Sequence, residues 1–122
     1  MQTGCASCHG GVSVGGQMYR RLGLVTPWPT ATDSGRIAVT HLASDRFVFK
    51  VPSLRNVVQT APYFHDGSVA SLDSVIVLMA RHQLGRELGT GTVAGIRVWL
   101  GTLTGELPAS YIAEPQLPGG AP

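Results

Sequence analysis

The chain has little of what usually assigns a protein to a class. No apolar run approaches the roughly 20 residues of a membrane span; the longest clear one, Val75 to Ala80, is six residues. The basic residues are dispersed along the sequence, which argues against the footprint of a nucleic-acid binder. Charged residues make up 13%, and nine Lys+Arg against seven Asp+Glu leave a formal net charge of +2, so net charge says little about partners. There are two cysteines in all, too few for a disulfide framework. A βαβ pattern is lacking, and 122 residues give length for one domain only.

What is there is concentrated in Cys5-Ala6-Ser7-Cys8-His9. Two thiols three apart, followed at once by an imidazole, form the attachment pattern of c-type haem. If the segment is helical, positions 5, 8 and 9 share one face, so both thiols reach the vinyl groups while His9 points at the iron. A structural zinc site is the weaker reading, because His41, His65 and His82 are scattered singly and zinc usually takes four ligands with a second Cys/His pair at short spacing. A redox dithiol would sit on the βαβ pattern that is lacking, and a disulfide is the remaining bland alternative. A buried macrocycle would also supply apolar volume that a short chain lacks, and two ionised propionates would bring the charge near zero.

Sixteen glycines and eight prolines predict abundant loops. Gly10-Gly11 and Gly15-Gly16 end the haem-motif helix; Met18 to Leu22 reads as a short helix, and Val25 to Pro29 as extended loop. Residues 30 to 45 read as loop or insertion, and Phe47 to Pro52 as an extended strap rather than a true strand. Ser71 is an N-cap for a helix carrying Leu72, Val75, Ile76 and Met79, running to about His82 and ending near Gly85. A second helix opens near Thr92, with Val93, Ile96, Trp99, Leu100 and Leu103 on one apolar face before Gly105. The expected fold class is all-α, a cytochrome c-like haem domain over residues 1–107 with long loops. Residues 108–122 form a Pro-rich tail without regular structure.

Gly35-Arg36, Asp45-Arg46, the run Phe49-Lys50-Val51-Pro52-Ser53-Leu54-Arg55-Asn56-Val57, Thr60 to Gly67 and Gln83-Leu84-Gly85 together resemble the C-terminal haem domain of the bacterial di-haem cytochrome c peroxidase family, which includes the methylamine-utilisation relatives. The resemblance covers about Gly4 to Leu107. It implies one covalent haem c in the high-potential, electron-transfer half of such a protein, with peroxide reduced at a second haem in a domain missing here. It also implies that the helix preceding the haem motif is largely missing, so the sequence reads as an excised or truncated domain. Export to the periplasm is implied by haem c attachment, though no signal peptide is visible.

By the resemblance, Met79 occupies the family's distal methionine position; a thioether ligand closes the iron and raises its potential. On spacing alone, core packing is the better reading of that methionine. His65 is the rival ligand, placed near the haem, and His41 and His82 read as surface or loop histidines. Arg55 and Lys50 are the expected partners of the haem propionates, Arg55 through its planar fork. Thr60 and Pro62 match positions whose carbonyls help bind calcium between the two haem domains, a site incomplete without the other domain.

Two functions follow from these readings. One is an electron-transfer module taking electrons from a small cytochrome c or cupredoxin; the other is a mono-haem peroxidase acting through an opened Met side. No distal acid/base pair can be assigned, which lowers the second. With the preceding helix missing, the apolar face around Trp99 needs a cover: a homodimer, the Tyr111-Ile112 part of the tail, or a partner chain.

Overall fold

The computed structural model describes residues 3–29, 32–106 and 108–115. Two helices carry the core. The first long one, α2 (Leu72–Leu84), starts where Ser71 accepts a hydrogen bond from the Ser74 N–H and stops at Gly85 in the left-handed conformation, as the caps predict. The second, α3 (Thr90–Gly101), ends at Thr102, short of Gly105. Ile76 of α2 is buried together with Val93, Ile96 and Leu100 of α3, and Leu54, Val57, Leu72 and Leu103 pack around them. The apolar stripe expected to lie open is therefore largely covered by α2 and by the segment after Pro52. What remains open on α3 is Val98, and Trp99 at 37% exposure.

The all-α expectation is overturned, for the fold is mixed. Residues Tyr19–Arg21 form a strand, β1, which pairs antiparallel with β2 (Val48–Lys50) in the register Tyr19 to Lys50, Arg20 to Phe49 and Arg21 to Val48. The expected helix at Met18 to Leu22 is thus a strand, and the expected strap is a strand too. Two long connections, each too Gly- or Pro-rich for helix, satisfy their backbone groups against one another. The pairing continues beyond the ladder: Val51 N–H donates to Met18 (2.8 Å), Gly16 to Val51 (3.0 Å) and Leu54 to Val14 (3.0 Å).

Two short helices complete the description. The loop expected at 30 to 45 contains a single turn, α1 (Ile37–Thr40), and a 3-10 turn at Ala43–Asp45; residues 30 and 31 lie outside the described part. The tail, expected to lack regular structure, forms one turn, α4 (Ala109–Ile112); residues 116–122, the rest of that tail, are not among the described residues. Tyr111 is 88% exposed, so this turn is no cover for Trp99. Among the described residues no helix is long and apolar enough to cross a membrane.

Candidate haem site

Cys5–Ser7 form a 3-10 turn rather than the expected α-helix. The Cys8 and His9 N–H groups both donate to the Cys5 carbonyl, at 3.2 and 3.0 Å. That bend still gathers both thiols and the imidazole on one short stretch, and both cysteines are free and half-buried. The chain then turns through Gly11, Gly15 and Gly16, all at positive φ. A Cβ at Gly15 would run into the Pro52 carbonyl oxygen and crowd His9 Nδ1, so only glycine lets this loop close on the imidazole.

The segment after β2 holds that loop in place. Ser53 Oγ donates to the Ser13 carbonyl at 2.5 Å. Arg55 donates from Nε (3.1 Å) and Nη2 (2.8 Å) to the Val12 carbonyl. Val14 sits at φ 50°, a costly conformation for a β-branched residue. It persists because its neighbours overdetermine it: Val14 donates to Gly11, accepts from Leu54, and is followed by the Gly15 to Gly10 bond.

His9 Nδ1 is buried without a hydrogen-bond partner. Burial holds the imidazole below its ordinary value, against the opposing pull of the Pro52 and Val14 carbonyls, because the charged form is poorly solvated there. A neutral ring suits iron ligation. Only seven hydrophobic residues are buried among those described, and none of the larger side chains is completely enclosed. So thin a core fits a fold built around a large apolar group. These residues fit haem c.

The other expected site residues fall in four places. Met79 is half-buried on α2 and stays outside the apolar cluster that α2 shares with α3. His65 is engaged elsewhere: Nε2 lies 3.5 Å from Asp33 Oδ2, and its ring stacks on Phe49 at 4.4 Å. Lys50 is exposed at the end of β2. Thr60 and Pro62 are exposed, and the Thr60 hydroxyl donates to the Val57 carbonyl at 3.1 Å. No cluster of three or more His, Cys, Asp or Glu side chains gathers among the described residues.

One residue is not where its sequence position suggests. His82, expected on the surface, is 6% exposed. Its Nδ1–H donates to the Thr26 carbonyl at 3.0 Å, and its own carbonyl accepts from the Val25 and Thr26 N–H groups at 3.0 and 3.1 Å. Trp28 packs tilted on the His82 ring at 4.7 Å and edge-on to Phe64 at 4.9 Å. Gln83 completes the clamp, accepting from Leu24 N–H (2.8 Å) and donating to the Arg21 carbonyl (3.1 Å). His82 is three residues from Met79, hence on the same side of α2. The loop after β1 is therefore fastened to the helix face that carries the candidate ligand.

No protein-family model matches the chain. Individual relatives do. It is 46% identical over 107 residues to a cytochrome c551 peroxidase of Nitrosomonas europaea, covering 87% of this chain and 32% of the relative. Against the cytochrome c551 peroxidase of Pseudomonas aeruginosa it is 42% identical over 123 residues, covering 97% and 35%. A crystal structure of a MauG-like protein associated with microbial copper homeostasis superposes with a TM-score of 0.70 at 28% identity, over 86% of this chain and 43% of that one. Fold, thiol pair and imidazole thus define a c-type haem segment. The chain belongs to the bacterial cytochrome c peroxidase family with its MauG-like members, and it spans about a third of the length of the curated relatives it matches.

Proposed function

We propose that this chain is the electron-transfer haem domain of a periplasmic cytochrome c peroxidase-type protein. It passes electrons from a small cytochrome c or cupredoxin to a peroxidatic haem carried by a separate domain. The observation that carries the reading is the gathering of Cys5, Cys8 and the His9 imidazole, its Nδ1 out of solvent, on one short turn, within a chain matching cytochrome c peroxidases over most of its length.

Haem c, when bound, supplies a one-electron iron couple; the chain supplies its environment. Cys5 and Cys8 would hold the macrocycle and His9 would ligate its iron, with Met79 the second ligand proposed from α2. Two protein ligands would close the iron to small molecules and favour outer-sphere transfer. The clamp of His82 and Gln83 fastens the loop after β1 to the helix that carries Met79. Lys50 and Arg55 are the cations proposed for the propionates; Arg55, as found, gives its fork to Val12, which leaves Lys50 the readier of the two. The Thr60 and Pro62 carbonyls contribute to calcium binding only when the second domain adds further oxygens. The domain reading is residues 1–107, followed by the tail.

The test is to mix the purified haem-loaded chain separately with a reduced small cytochrome c and with hydrogen peroxide. Rapid reduction by the cytochrome with no peroxide turnover is the expected result. Turnover of peroxide by the lone chain would replace this reading with the mono-haem peroxidase.

A further inference from the structure

The two proposed axial ligands ride on different parts of the chain. His9 belongs to the loop that the ribbon holds: Gly16 N–H donates to the Val51 carbonyl at 3.0 Å, and Val51 N–H donates at 2.8 Å to the carbonyl of Met18, the residue before β1. Met79 belongs to α2, which packs on α3 through Ile76. A closed iron needs both parts held in one register.

The last turn of α2 makes that connection. Gln83 is half-buried, and its side-chain amide bridges two backbone groups: Oε1 accepts from Leu24 N–H at 2.8 Å, and Nε2 donates at 3.1 Å to the carbonyl of Arg21, the last residue of β1. Leu84 reaches the haem motif. Its Cδ2 lies 3.5 Å from the position a Cβ would take on Gly4, the residue before Cys5. Val25 Cγ1 stands 2.9 Å from where a Cβ on Gly85 would be, so the loop after β1 is pressed against the helix end. Three consecutive residues thus join α2 to the strand, to the loop that follows it and to the start of the motif. The His82 ring grips that loop farther on, at Thr26, whereas Gln83 reaches the strand itself.

We propose that Gln83 is a positioning residue for the Met79 thioether, its amide holding α2 in register with the ribbon and so with the His9 loop. The inference rests on the proposed function, in which Met79 closes the iron. Gln83 follows Met79 by four residues, one turn along the same helix face, so a helix pinned at Gln83 is pinned where the thioether leaves it. A thioether is a neutral ligand without charge to draw it to the iron. Its hold therefore depends on the groups behind it, as metal affinity commonly depends on the partners that orient a ligand.

The test is the affinity of imidazole for the ferric haem-loaded chain, because imidazole must displace the thioether to bind. Gln83→Leu should raise that affinity about tenfold, through the loss of two hydrogen bonds, and Met79→Ala should raise it further. The combined variant should match Met79→Ala alone, since a residue acting through the thioether has nothing to act on once it is gone. Gln83→Glu keeps an acceptor for Leu24 N–H and loses the donor to Arg21, so it should fall between wild type and Gln83→Leu. If Gln83→Leu takes up no haem, Gln83→Glu carries the same comparison. An affinity raised by Met79→Ala but unmoved by either Gln83 variant would overturn the positioning role and leave Met79 as the ligand. An equal rise from the Gln83 change in the Met79→Ala background would overturn it too, as the mark of a general loosening. An affinity unmoved by Met79→Ala would sink the closed-iron reading itself.

Discussion

Asn56 and Gly105 are joined by a hydrogen bond from the Gly105 N–H to Asn56 Oδ1, 2.8 Å long, while the Asn56 N–H donates to the Leu103 carbonyl at 3.2 Å. One residue thus fastens the turn after α3 to the segment that carries Arg55 and ends near the haem-motif loop. Its left-handed backbone, φ 59°, is one that asparagine tolerates better than most residues. Replacing Asn56 with Ala removes the acceptor and strains the backbone, and should cost about 1–3 kcal/mol. Asn56→Asp keeps the acceptor and should cost less. Denaturant unfolding of both variants checks the order.

Covalent attachment follows from Cys5 and Cys8. Denaturing the haem-loaded chain in acid and extracting with organic solvent should leave the haem with the protein. Release of all the haem into the solvent would mean that the thiols do not carry it. Cys5→Ala with Cys8→Ala should release it completely.

His82 should be among the more sensitive positions outside the motif. His82→Ala removes a buried ring under Trp28 and leaves the Thr26 carbonyl without its partner. Cavity and lost hydrogen bond together predict a loss of about 2–4 kcal/mol. Trp28 fluorescence should shift toward that of an exposed indole, and an unshifted spectrum would mean that the loop holds without the clamp.

A small pH-dependent contribution comes from Arg81 and Glu87. The Arg81 guanidinium donates to both Glu87 oxygens, at 2.8 and 3.0 Å, and this holds the Glu87 carboxyl below its ordinary value. A carboxyl lowered in the folded state stabilises it above the ordinary carboxylate range, and the gain is lost as pH falls through the lowered value. Both side chains are exposed, so the effect is modest and screened by salt. The difference in melting temperature between wild type and Glu87→Gln should be present at neutral pH, shrink as acid is added, and narrow in high salt.

The two long helices were legible because each has its signals within a few residues: Ser71 and Gly85 at the ends of α2, and Val93, Ile96 and Leu100 at helical spacing on α3. The haem motif was legible for the same reason, since Cys5, Cys8 and His9 are adjacent in sequence. Elsewhere the deciding partner lies far away. Tyr19–Arg21 becomes a strand because Val48–Lys50 pairs with it, and three residues carry too little periodicity to show this alone. His82 is buried because Thr26 and Trp28, more than fifty positions earlier, fold back onto α2. The α3 stripe looked open because its expected cover was a helix ahead of the haem motif, whereas Ile76 and the residues around Leu54 bury it.

The central claim is a haem iron held between His9 and Met79 in an electron-transfer site, and the near-infrared spectrum of the ferric haem-loaded chain tests it most directly. A sulfur-to-iron charge-transfer band should be present in the wild type and absent in Met79→Ala, which should also gain affinity for small ligands. A wild-type iron that is already high-spin, or a band that survives the substitution, would contradict the claim.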